Sequence, residues 1–273
     1  MRTSSNPAFR NLPTGQGGGY ATFDRQGGKT GAGAAYADQR AAGVGYGRAG
    51  AGERPLTVDD VVQKTAITAA VAVVAGTLTA ISGLYGLALP AFLVGFVLSL
   101  VLIFKQDWAK APLVLLYSLC MGVALGGIAG FLNNLYPGIA FQALIGTAGV
   151  FVGMLVVYKT GAVRVTPRFR KFMMGALIGV VVLMIANLVG YLFGVNLGLR
   201  GADGEVGWLA IGFSIIVIGV AAFSLLLDFD MADEAVRAGV PASFSWYIAF
   251  GLMVTLVWLY IEILRLLSYF RQD

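Results

Sequence analysis

The chain has 273 residues, 58% of them apolar and only 12% charged, with a mean hydropathy of +0.80. A soluble domain carries about 25% charged residues, so this composition excludes a water-soluble globule. Histidine is absent, which excludes imidazole metal sites, serine–histidine dyads and histidine pH switches. The lone Cys120 excludes an intrachain disulfide. The net charge of +5 implies no nucleic-acid partner, because membrane topology itself places Lys and Arg in inner loops.

Residues 1–57 differ from everything after them. The stretch "GQGGGYATFDRQGGKTGAGAAYADQRAAGVGYGRAGAG" has no helical or strand periodicity. It cannot bury enough apolar surface to offset its ordering entropy, so a disordered Gly/Ala-rich tail is expected. Within it "FDRQGGKT" approaches a phosphate-binding loop, but Phe23 stands where the first Gly belongs and no apolar strand precedes it.

A membrane domain is expected over residues 58–273. Thr57 suits a helix N-cap, with Asp59 and Asp60 in the first turn, where negative charge favours the dipole. A span needs roughly 20 apolar residues. Candidate spans are 62–85, 88–105, 111–132, 138–158, 172–194, 207–229 and 245–270. The reading is therefore an all-α, seven-helix membrane bundle behind a disordered tail. Lys105, Lys110, Lys159, Arg164, Arg168, Arg170 and Lys171 fall on one side with the tail, while the alternate connections hold only Arg200. The positive-inside rule then puts the N-terminus in the cytoplasm and the C-terminus outside. Glycines at helical spacing (Gly122, Gly126 and Gly130; Gly149 and Gly153; Gly175 and Gly179) imply close helix contact.

Charges inside lipid are costly and mark function. Glu262 lies in "VWLYIEILRLL", and two readings are open: an i,i+3 pair with Arg265 near the outer end of the last helix, or an inward-facing acid with apolar residues on both sides. Asp233, Glu234 and Arg237 read as a solvated helix end. Asp228 and Asp230, two apart, point to nearly opposite helix faces, and periodicity does not choose between them.

The stretches "FSLLLDFD" (223–230) and "LYIEILRLL" (259–267) resemble the Bax inhibitor-1 family, the transmembrane Bax inhibitor motif proteins, in its bacterial YccA-like branch. The resemblance implies a pair of inward acids, Asp230 and Glu262, closing a cavity on its cytoplasmic side. Asp228 is then an extra acid and Lys105 the helper of the pair. The implied activity is a pH-dependent calcium leak in a bacterial inner membrane, with calcium as a weakly held ion and no other cofactor. Two departures stand out. Met121 occupies a position where the family often has Glu or Ser, and the distance from position 230 to 262 is longer than usual. With a turn near Gly239–Pro241, Asp230 lies roughly 12 Å from it and Glu262 roughly 30 Å.

Two nearby carboxylates cannot both ionise easily in a low dielectric, so such a pair responds to pH without histidine. An enzyme is not expected. Serine proteases and zinc hydrolases require histidine, and no Gly-x-Gly-Asp step of an aspartyl type lies in a span. The competing expectation is a regulatory membrane protein that binds a membrane protease or translocation component without conducting ions.

Overall fold

The computed structural model describes Ala49, residues 53–193 and residues 207–271, and among these hydropathy and capping chemistry set seven α-helices. These belong to the compact unit Tyr46–Asp273. The helices are α1 (Val58–Ser82), α2 (Ala88–Phe104), α3 (Ala111–Leu135), α4 (Ile139–Thr160), α5 (Pro167–Leu192), α6 (Trp208–Ala238) and α7 (Ser245–Tyr269). All seven are long and apolar enough to cross a membrane, α2 together with the short turn Tyr85–Leu87 and α7 together with Ala242–Phe244. No strand occurs among the described residues, only an isolated bridge between Pro55 and Pro241.

Local chemistry explains the ends. Thr57 caps α1 in a capping box with Asp60, satisfying two otherwise orphaned donors. Thr166 accepts from the Phe169 amide and Pro167 opens α5, where its missing N–H costs nothing. The longest helix, α6, stops at Gly239, whose φ of 68° suits a residue without a Cβ. It therefore runs past the expected end at 229. The polar stretch after Asp228 keeps helical hydrogen bonding and adds an i,i+4 bridge between Asp233 and Arg237.

Cross-links sort the helix ends. Lys64 of α1 donates to the Ala242 carbonyl at 3.1 Å and to Ser245, at the start of α7. Gln106 after α2 reaches Tyr247 at 3.3 Å, and Tyr158 near the end of α4 reaches Asp233. Arg170 at the start of α5 reaches the end of α6. These groups share one end, which also carries the basic loops. At the other end Asn134 donates to Tyr85, and Arg271 donates to the Pro137 carbonyl and to Gln142.

Close packing joins α1 and α3. A methyl at Gly126 would lie 2.1 Å from the Gly76 carbonyl oxygen, and one at Gly122 would lie 2.4 Å from that of Ala72. Gly130 is similarly crowded by Tyr85 and Ala80. The expected small-residue packing holds there but not elsewhere: nothing stands within 4 Å of such a methyl at Gly149, Gly153, Gly175 or Gly179. Those faces are turned away from the bundle. α7 is the central helix. It packs Leu252 and Leu259 with Leu225, Leu226 and Phe229 of α6, and Phe250, Met253 and Val257 with Leu102, Val114 and Tyr117. α5 is peripheral, with 11% of its apolar stretch buried against 56% for α3 and α7.

The tail boundary at 57 needs correction. Glu53–Thr57 is ordered against the α6–α7 connection: the Leu56 amide donates to Val240 at 2.8 Å and the Ala242 amide to Arg54 at 2.9 Å. Leu56 and Val240 are buried there, and Arg54 bridges Asp60 at 2.5 Å. The rest of the expected tail lies outside the described residues, Ala49 excepted.

Candidate functional site

Helix rotation separates the two acids of "LLLDFDMADEA". Asp228 turns toward α7 and is partly buried; it accepts from Thr255 Oγ1 at 2.7 Å. Asp230 turns toward α5 and accepts from Arg170, whose guanidinium also reaches Glu234 at 2.5 Å. Asp233 accepts from Arg237 at 2.7 Å and from the Tyr158 hydroxyl at 3.3 Å. Glu262, 2% exposed in its side chain, accepts from Arg265 at 2.6 Å.

The expected Asp230–Glu262 pair is therefore a correction. The Asp228–Thr255 contact fixes the register of α6 against α7. At 1.5 Å per residue, Glu262 then lies roughly 13 Å farther along α7 than the level of Asp230. The reason is the unbroken continuation of α6 to Ala238: no early turn shortens the path between the two acids. The i,i+3 pairing of Glu262 with Arg265 is present. Asp228, read as the extra acid, is the one that faces α7. Lys105 packs over the Trp108 ring, 4.4 Å from its centroid, and makes no ion pair with these acids among the described residues. Met121 is buried beside Tyr117 and Leu102, as a packing residue.

Two residues escaped the sequence reading. Arg170 carried the signal of a cation at the head of a span, but its partners lie sixty and more positions away. Thr255 is one hydroxyl in an apolar run, and nothing local distinguishes it from threonines bonding their own helix, as Thr79 and Thr147 do.

Among the acids of α6 at the basic end, Asp230, Asp233 and Glu234 each meet an arginine, and Asp228 does not. Arg170–Asp230 and Arg170–Glu234 are half-exposed and together are worth about 1 kcal/mol. Asp228 has a hydroxyl donor instead of a countercharge. One carboxylate and one hydroxyl offer few oxygens, and the described residues contain no group of three or more acidic, cysteine or histidine side chains placed to hold a metal. Calcium normally takes about six to eight oxygen ligands. The Asp228 carboxylate and the Thr255 hydroxyl supply at most three of them.

Fold and site together define a seven-helix integral membrane protein with an unneutralised carboxylate between its last two spans. The family model described as Bax inhibitor 1 like matches residues 6–272. The chain belongs to that family. A search of curated proteins found no matching relative.

Proposed function

We propose that the protein is a proton-sensitive cation leak of a bacterial inner membrane, with calcium as cargo and Asp228 as the carboxylate that meets the ion. One observation carries this reading: of the acids on α6 and α7 among the described residues, Asp228 alone has no cationic partner. A carboxylate inside a bundle without a countercharge draws a proton or a cation. Thr255 holds the carboxylate against α7, and an incomplete oxygen shell lets an ion leave as well as enter. Protonation of Asp228 cancels the charge that attracts the cation, so one group couples pH to flux. Asp230 ties α6 to α5 through Arg170, and Glu262 pairs with Arg265 within α7. The basic end, rich in Lys and Arg, faces the cytoplasm in this reading.

The test is calcium flux into proteoliposomes across a pH series. Asp228→Asn is expected to reduce flux at least tenfold and to remove its pH dependence, while Asp230→Asn and Glu262→Gln retain both. Loss of flux in those two variants with retention in Asp228→Asn would move the site away from Asp228. Absence of flux at every pH, together with a stable co-purifying membrane protease or translocation component, would favour the regulatory reading.

A further inference from the structure

The α4–α5 connection carries charge that the bundle does not answer. From position 159 to 171 it contains Lys159, Arg164, Arg168, Arg170 and Lys171, and no acid. Arg170 is engaged by Asp230 and Glu234. Lys159, Arg164, Arg168 and Lys171 are exposed, and among the described residues none makes an ion pair. The first turn of α5 contains no acid, so its cations stand against the helix dipole and gain from an outside anion.

Position supplies the second part of the argument. Both flanking helices cross the membrane, so the connection sits at the headgroup level of one leaflet. Arg168, Lys171 and Phe172 share the side of α5 turned away from the stripe of Phe169, Met173 and Val180, which packs on the bundle. Phe172 is 70% exposed directly below the cations, an apolar group at the depth of the upper acyl chains. The same side continues through Gly175 and Gly179, where nothing stands within 4 Å of an added methyl. That leaves room for a chain lying along the helix.

We propose that this connection is a binding surface for the phosphate of anionic lipid headgroups. It seats α5, the helix least covered by protein, through lipid as well as through Arg170. Each cation near an anionic surface is worth about fivefold in binding.

Native mass spectrometry of the full chain, released from nanodiscs of mixed phosphatidylglycerol and phosphatidylcholine, tests the proposal. The wild type is expected to retain phosphatidylglycerol preferentially. Combined K159Q, R164Q, R168Q and K171Q should lower that preference at least tenfold, and K105Q with K110Q, at the same end of the bundle, should preserve it. R168Q with K171Q alone removes two exposed charges and should lower the preference severalfold should the fourfold variant not fold. Equal retention of both lipids, or equal loss in the K105Q/K110Q control, would overturn the proposal. Complete displacement of the lipid by millimolar inorganic phosphate would also overturn it, by making a free anion the ligand.

Discussion

A threonine hydroxyl decides how Asp228 sits. Thr255→Val removes that donor while keeping the shape, and stripping a partly buried carboxylate of its donor costs about 1–3 kcal/mol. The expected outcome is a lower thermal midpoint together with a displaced pH dependence of flux, measured on the same preparation. Glu262→Gln is expected to lower the midpoint by a comparable amount, because it weakens a charge-assisted bond to Arg265 at an almost fully buried position, while leaving the shape of the pH profile unchanged. The sequence located these acids but not their partners. Two residues along a helix turn the side chain through about 200°, and "FSLLLDF" is apolar on every side. The rotation that selects Asp228 over Asp230 is therefore set by how α6 meets α5 and α7. That information resides in Arg170 and Thr255, distant in the chain.

Among the helices, close approach and open faces separate glycines that look alike in sequence. Gly126→Ala drives a methyl into the Gly76 carbonyl and should destabilise by about 3 kcal/mol or more. Gly175→Ala meets nothing and should stabilise slightly, since Ala is the better helix former by about 1 kcal/mol. Thermal unfolding in detergent distinguishes the two. Arg170→Gln should loosen the head of α5, at a cost of about 1 kcal/mol. The readout is faster thiol modification of a cysteine placed at Met173, which is buried against the bundle in the wild type. Every span end but one was legible to within about five residues, because hydrocarbon thickness imposes length and polarity marks the ends. The exception was the end of α6, where a polar sequence continues the helix beyond the apolar run. That continuation is also what separates Asp230 from Glu262.

For the molecule as a whole, the bond between Glu53–Thr57 and the α6–α7 connection predicts different effects from two truncations. Removal of residues 1–48 should leave the thermal midpoint nearly unchanged. Removal through Thr57 deletes the N-cap of α1 and the buried Leu56, together worth about 3 kcal/mol, and should lower it clearly.

Lys64 bears on synthesis. Its two oxygen acceptors, Ala242 and Ser245, leave the ribosome long after it does, since they lie 178 and 181 positions later in the chain. Until the seventh helix arrives, a cation near the head of the first membrane helix lacks those ligands. A chain halted before the seventh helix therefore differs from the full bundle at Lys64.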